Sequence, residues 1–501
     1  MARSIEQRLV KAMVGADRPS VLDTDAYKLA MAQAGAPLRP ETFYLTFRRM
    51  TQGPWYNPFD LDEFFRLLRP ELPGLKQRGF LQTWGYGLTP AMEKAVLAEI
   101  ETCCIPKGAW FGPKEPLAAV RSASFLVSGM EALGLMLQYP IQIATFARNG
   151  ATRFDVTCED EAEIVRIAWE AAGVEGVPII NVREREYRER VRLNGWAVRK
   201  ALRDEPERAF EVGMRAATCI QQHRIALTEL REIGIMRTSM LRLAYELTMI
   251  PVGTTGHEHQ QRYGEDAAGF RAIRDTRPET PSYLFDTVEP ELLGIPAIFE
   301  VVREWLDHRF SVRFDSGDQD SQFRKLFAVL SAIAPQAAYI FEDGYTAEKT
   351  VENEKFLAQF NLPRSQAWYG YGGFFISHPA FSEFTRDRVS AAWKLCETSG
   401  SAVMKWSGTQ GKESTPGRPC SFVLVGEPAI EGLVAFDRLI GQQDEEPPEG
   451  FIRLTEADPV EHPGCYQDCD RIGNSPATAK LIKIAREERQ ERIEAAMEAA
   501  A

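Results

Sequence analysis

Residues 311–322 read Ser-Val-Arg-Phe-Asp-Ser-Gly-Asp-Gln-Asp-Ser-Gln, "SVRFDSGDQDSQ". A short apolar strand ends in a run of charge around one glycine, and a helical pattern, "DSQFRKLFAVLSAIA", follows at once. The same order recurs along the chain. "MIPVG" (249–253) runs into "TTGHEH", "SYLFD" (282–286) into "TVEP", "AAYIFED" (337–343) into a glycine and a helix, and "QAWYGYGG" (366–373) ends in glycines. With "VPIINV" (177–182), these are the expected strands. The expected helices are 206–234, 264–276, 298–309, 320–334 and 345–360. Strand–helix alternation at this spacing predicts a parallel sheet. Polar and glycine residues just after many strands point to a closed barrel, whose site sits on the loops at the strands' C-terminal ends. A dinucleotide-binding sheet would place its signal in one early G-x-G-x-x-G loop, and the chain has none.

The 501 residues exceed one compact core. Residues 1–150 are expected to form the first part of an α+β domain. Within them, 1–20 read as an amphipathic helix or arm, "ETFYLTFRRM" alternates like a strand, and 90–104 and 125–138 have helical spacing. Residues 151–384 are expected to form an α/β barrel. Residues 385–501 have an irregular pattern and end in a charged helix, "AKLIKIAREERQERIEAAMEAA"; that they return to the domain begun by 1–150 is what the resemblance given below implies.

Hydrophobic residues make up 44% of the chain and charged residues 26%, as in ordinary globular proteins. The net charge of -12 argues against non-specific nucleic-acid binding, which needs clustered Lys and Arg. No apolar run approaches the roughly 20 residues that span a bilayer, so no membrane partner is expected. The start, "MARSIEQRLVKAM", lacks a signal-peptide core, and a cytoplasmic location is expected. His462, Cys465 and Cys469 could belong to a metal site. No second ligand pair lies nearby, so reduced structural cysteines are the simpler reading.

The charged loop of 311–322 admits two readings. Asp315 and Asp318 could serve ribose hydroxyls, directly or through Mg²⁺, and Arg313 could hold an anion or stack on a flat ring. Asp315, Ser316 and Asp318 also suit a plain helix N-terminus. Asp343 and Gly344, with Gly370, Gly372 and Gly373, suit either tight turns or a phosphate-binding nest late in a barrel. His257 at a strand end could accept a phosphoryl group, join His259 in half a metal site, or be a hydrogen-bonded structural histidine.

Taken in order, "LDTDAYKLAMAQA" (22–34), "TFRRM" (46–50), "VGMRAA" (212–217), "TSMLRLAYELTMIPVGTTGHE" (238–258), "FDTVEP" (285–290), "VRFDSGD" (312–318), "FEDG" (341–344), "YGYGG" (369–373) and "GKESTPGRP" (411–419) form a specific series. It resembles nicotinate phosphoribosyltransferase and its relative nicotinamide phosphoribosyltransferase, from about residue 21 to 420. The resemblance implies an irregular α/β barrel of the type II phosphoribosyltransferases joined to a domain made from both chain ends, in a homodimer with shared sites. It implies formation of nicotinate mononucleotide and pyrophosphate from nicotinate and phosphoribosyl pyrophosphate, with Mg²⁺, and with ATP as co-substrate in NAD biosynthesis.

Carried over by position, Tyr27 would reach the neighbouring subunit's site and cover the pyridine ring. Arg215 would lie near the ring's carbonyl group, with Thr238 and Ser239 beside it. His257 would be phosphorylated by ATP. Arg313 would lie beside base and phosphates, and Asp315 and Gly317 would hold ribose; the spacing of Asp315 and Asp318 adds them as Mg²⁺ ligands, directly or through water. Asp343, Gly344, Gly372 and Gly373 would take the 5′-phosphate, and Arg48, Lys412 and Arg418 would be basic residues near phosphates. Three positions depart from the family pattern: Val212 replaces a ring-stacking Phe, Ala216 the second Arg of a pair, and Met240 an Asn. All touch the base pocket, so nicotinamide is the alternative base, and an altered relative that only binds is a further alternative. A diacid such as quinolinate would call for more arginine in that pocket. Ser239 stands where nicotinamide enzymes have an Asp, which favours a carboxylate substrate.

Overall fold

The computed structural model describes residues 3–49, 53–377, 384–406, 413–433, 435–462 and 464–500. Its centre is a seven-stranded parallel sheet that curls on itself. In spatial order the strands are Ile250–Pro251, Arg237–Thr238, Ala209–Glu211, Ala367–Tyr371, Ala338–Phe341, Ser311–Phe314 and Ser282–Leu284. Chain order thus runs once around the curl, with the seam between Ile250–Pro251 and Ser282–Leu284. Among the described residues, no ladder closes that seam. The Thr255 hydroxyl donates to the Ser282 carbonyl across it at 3.3 Å.

Strand Ser311–Phe314 shows why the parallel reading holds. Val312, Arg313 and Phe314 are all buried, so both faces are covered, as a sheet clothed by helices requires. Gly317 then turns with φ +77°, a conformation that glycine adopts without strain. Asp318 caps the helix Gln319–Ile333, its carboxylate accepting from the Ser321 amide at 3.1 Å.

Three expectations are corrected. The helix expected over 206–234 is broken: strand Ala209–Glu211 and a 3-10 turn, Met214–Ala216, precede the helix Ile220–Glu232. Glu211 decides this, because its buried carboxylate accepts from the Thr238 hydroxyl at 2.6 Å and lies 3.0 Å from His223. A helix there would strand that charge. The strand Ile179–Val182 forms but stands outside the barrel, paired with Arg153–Val156. Residues 90–104 split into helix Pro90–Val96 and strand Glu101–Cys104.

A five-stranded antiparallel sheet unites the chain ends in the order Ser401–Ala402, Ala391–Thr398, Pro40–Phe47, Pro116–Ala123 and Glu101–Cys104. It carries Arg48 and Lys394 to the barrel mouth. A four-stranded sheet of residues 419–474 and the helix Pro476–Ala500 complete the described chain. Among the described residues, no helix is long and apolar enough to cross a membrane. Cys465 and Cys469 are buried, all eight cysteines are free thiols, and neither Cys465 nor Cys469 joins a cluster of three metal-ligating side chains among the described residues.

Candidate functional site

The loops after the barrel strands open into a cavity of about 590 Å³. His257 enters it from the loop after Ile250–Pro251, Asp315 and Ser316 from the loop after Ser311–Phe314, and Asp343 and Gly344 from the next. Gly372 and Gly373 follow the Ala367–Tyr371 strand, and Arg215 follows Ala209–Glu211. Among the described residues, seven cationic side chains line this cavity: Arg48, Arg49, Arg215, Arg313, Arg386, Lys394 and Lys405. They outnumber the carboxylates of Glu131, Glu258, Asp315, Glu342 and Asp343 on the same walls, an excess of positive charge that suits an anion in an otherwise acidic chain. Asp343 has φ +73° and Gly344 φ +69°, so two consecutive residues adopt the left-handed conformation at the cleft's edge.

At the floor, the His257 Nε2 lies 3.1 Å from Asp286 Oδ1 and 3.8 Å from Asp315 Oδ2. Burial and then the Lys405 ammonium push the His257 pKa below its ordinary value, against the pull of Asp286. The ring is therefore neutral near pH 7. Asp286 is held well below the usual carboxylate range: the cost of burying it is outweighed by His257, Lys405 and a hydrogen bond from the Ser316 hydroxyl. Asp286 thus accepts the Nε2 proton and leaves Nδ1 as the ring's basic nitrogen. Arg313 donates to the Thr254 hydroxyl at 2.9 Å and the Thr255 carbonyl at 2.6 Å. It pairs with Asp315 at 2.7 Å and Glu342 at 2.9 Å. Burial works against ionising Asp315, and Arg313 nevertheless holds its pKa below the ordinary value.

A second cavity of about 330 Å³ runs into the barrel and shares Tyr27, Val212, Arg215, Arg313 and Glu342 with the first. Ser239 and Asp25 line it, the serine hydroxyl bonded to the aspartate. A planar ring entering it would meet Tyr27 and Arg215 at the junction.

The structure brings together Tyr27, Arg48, Arg215, Ser239, His257, Arg313, Asp315, Asp343, Gly344, Gly372 and Gly373. Four readings change. Asp318 is exposed and spent on the helix cap, outside the cluster of His257, Asp286 and Asp315. Thr238 is fully buried behind the site on Glu211. Arg418 lines neither cavity: it donates to Gln443 at 3.0 Å and lies 3.7 Å from Glu101. Tyr27, expected at the neighbouring subunit's site, lines both cavities of its own chain. Lys412 lies outside the described residues.

Asp286, Glu342, Glu131, Lys394 and Lys405 were not singled out from sequence. For Asp286 the signal was present: "SYLFD", "VRFD" and "FED" each place a carboxylate where a strand ends. Lys394 sits inside a strand, Ala391–Thr398, and nothing local marks it.

A cation-rich cleft at the mouth of an incomplete parallel barrel, beside a sheet made from both chain ends, defines the architecture: an irregular α/β barrel joined to an α+β domain. No protein-family model and no curated protein sequence matches the chain. Solved structures do. The nicotinate phosphoribosyltransferase of Porphyromonas gingivalis superposes with a TM-score of 0.55 at 18% identity, over 79% of this chain and 96% of that one. The nicotinate phosphoribosyltransferase of Vibrio cholerae gives a TM-score of 0.55 at 18% identity, over 79% of this chain and 89% of that one. The chain shares the fold of these enzymes.

Proposed function

We propose that the protein is a nicotinate phosphoribosyltransferase that forms nicotinate mononucleotide and pyrophosphate from nicotinate and phosphoribosyl pyrophosphate, coupled to ATP. The observation that carries this reading is the placement of His257 on Asp286, beside Asp315 and Arg313, at the floor of a cation-lined cleft. The fold shared with the two solved enzymes supports it.

The phosphoribosyl substrate lies with its 5′-phosphate at Asp343, Gly344, Gly372 and Gly373 and its pyrophosphate towards Arg48, Lys394 and Lys405. The C1–O bond breaks through an oxocarbenium-like transition state, and those cations stabilise the departing charge. The pyridine nitrogen, held at the cavity junction by Tyr27 and Arg215, attacks C1. The carboxylates of Asp286 and Asp315 fit Mg²⁺, a hard cation that takes oxygen ligands and keeps water. When bound, Mg²⁺ supplies charge neutralisation to pyrophosphate. Asp286 orients His257 so that Nδ1 accepts the γ-phosphoryl group of ATP: an N–P bond forms, the bond to the bridging oxygen breaks, and ADP leaves. The phosphohistidine adds negative charge to a cleft rich in cations. A cytoplasmic homodimer working in NAD biosynthesis completes the reading.

Nicotinamide is a second reading, favoured by one observation. The Asp25 carboxylate lines the base cavity beside Ser239, where an amide could donate to it. Steady-state assays with phosphoribosyl pyrophosphate, Mg²⁺ and either base, with and without ATP, separate the two. Turnover with nicotinate, raised by ATP and no longer raised in His257→Ala, supports the first reading. Turnover with nicotinamide alone supports the second, and no product with either base overturns both.

A further inference from the structure

The helix Pro476–Ala500 lies beyond the segment that carries the family resemblance, and it walls a third cavity of about 560 Å³. Arg489 pins the helix there. It donates to the Val288 carbonyl at 3.2 Å, and its guanidinium lies 5.4 Å from the centre of the Trp406 ring. The other walls include Gln260 and Gln261, from the helix His257–Tyr263, Asp266, which starts the next helix, and Thr287, which follows Asp286. Gln261 also lines the cation-rich cleft, so the cavity backs onto the elements that carry His257 and Asp286.

These side chains are buried and short of partners. Gln260 is 2% exposed, Asp266 4% and Thr287 1%. Both polar atoms of the Gln260 amide, the Gln261 Nε2, the Asp266 Oδ2 and the Thr287 hydroxyl have no hydrogen-bond partner among the described residues. An unpaired buried polar atom costs more than an ordinary hydrogen bond contributes, so a ligand that meets these atoms gains the difference. The set mixes donors with acceptors. An amide offers N–H and C=O side by side, which matches the neighbouring acceptor and donor on the edge of adenine. Val403, Met404 and Trp406 add apolar contact.

Charge narrows the ligand further. Arg489 and Arg492 are balanced by Glu488 and Glu491 on the same helix, and Asp266 adds a carboxyl group. Unlike the cleft, the described walls hold no excess of cations for a phosphate. The volume lies in the range of cavities that hold small molecules.

We propose that this cavity is a second ligand site, beside the cleft, that binds an uncharged purine nucleoside with the Gln260 amide on the edge of its base. The inference goes beyond the proposed phosphoribosyl transfer and does not depend on it.

Equilibrium dialysis of the full chain against radiolabelled adenosine tests it, because adenosine has no phosphate for the cleft to hold. The expected result is saturable binding at one site per chain. Gln260→Leu keeps the size and removes unpaired polar atoms, so the variant folds, and it weakens adenosine by about tenfold, the loss of a paired contact to a base. Ala485→Trp puts a bulky ring into the cavity from the helix side and abolishes binding. Neither position lines the cleft, so loss in both places adenosine in the third cavity. Three results overturn the proposal: no adenosine bound by the wild type, binding unchanged in both variants, or retention of ADP and inorganic triphosphate without adenosine. A wild type that binds adenosine but forms no product in the phosphoribosyl assays defeats the proposed function and leaves the nucleoside site standing.

Discussion

The His257 imidazole and the Asp286 carboxylate meet at 3.1 Å, although 29 residues and the barrel seam separate them. Asp286 is 6% exposed and ionised, so it selects the tautomer of His257 and stabilises positive charge on it. Asp286→Asn keeps the size and removes the charge. The expected outcome is loss of ATP stimulation by about tenfold or more, with the ATP-independent rate falling less. Measuring product formation with and without ATP checks it. Equal loss in both rates would remove Asp286 from the role of orienting His257.

Val212 lines both cavities where a stacking aromatic would close one face of the base site. Val212→Phe should tighten the pyridine base by about 0.5–1.5 kcal/mol, the worth of an aromatic pair beyond its buried area. That corresponds to a fall of about two- to tenfold in KM for the base, with KM for phosphoribosyl pyrophosphate unchanged. A raised KM would show that the space is already used.

Asp318 and Asp315 are three residues apart and should behave differently. Asp318→Ala removes a helix cap and should cost about 1 kcal/mol in chemical denaturation, with unaltered Mg²⁺ dependence. Asp315→Ala leaves Arg313 buried with one fewer partner and should destabilise by about 3 kcal/mol or more while weakening Mg²⁺ activation. A shifted Mg²⁺ requirement in Asp318→Ala would restore Asp318 to the site.

Two buried groups give opposite acid responses. Burial pushes Asp266 up to about 7 from 3.8, only partly offset by Arg492. Its folded form keeps the proton longer than the unfolded form, so its contribution is complete below pH 3.8 and is lost as pH rises through about 7. Burial pushes His259 down to about 4 from 6.5, partly opposed by its bond to the Gly269 carbonyl. There the unfolded state takes the proton first, and stability is lost as pH falls from 6.5 towards 4. Asp266→Asn should therefore stabilise the protein above pH 7 by up to about 4 kcal/mol and leave it unchanged near pH 4. Thermal unfolding of both proteins across this range checks the sign. Destabilisation of the variant at pH 8 would show that the carboxylate has a partner worth more than its burial costs.

The sequence by itself determined the periodic part of the fold. In Ser282–Leu284, Ser311–Phe314, Ala338–Phe341 and Ala367–Tyr371, apolar strands buried on both faces are followed by glycine and carboxylate turns, and that pattern is local. The residues that close those turns, Asp315, Asp343, Gly344, Gly372 and Gly373, were legible for the same reason. Tertiary structure decided what local pattern cannot encode. The strand Ala209–Glu211 sits in a stretch with helical spacing and exists because Glu211 finds Thr238 and His223. Asp318 and Asp315 share one loop, and only the direction of the helix axis spends the first on the cap and turns the second into the cleft. Lys394 and Arg48 reach the site because the two chain ends pair across more than 340 residues. Tyr27 meets Arg215 because Glu131, distant from both in sequence, binds them. Local pattern fixes which backbone forms, but a buried charge is stable only where the folded chain supplies its partner.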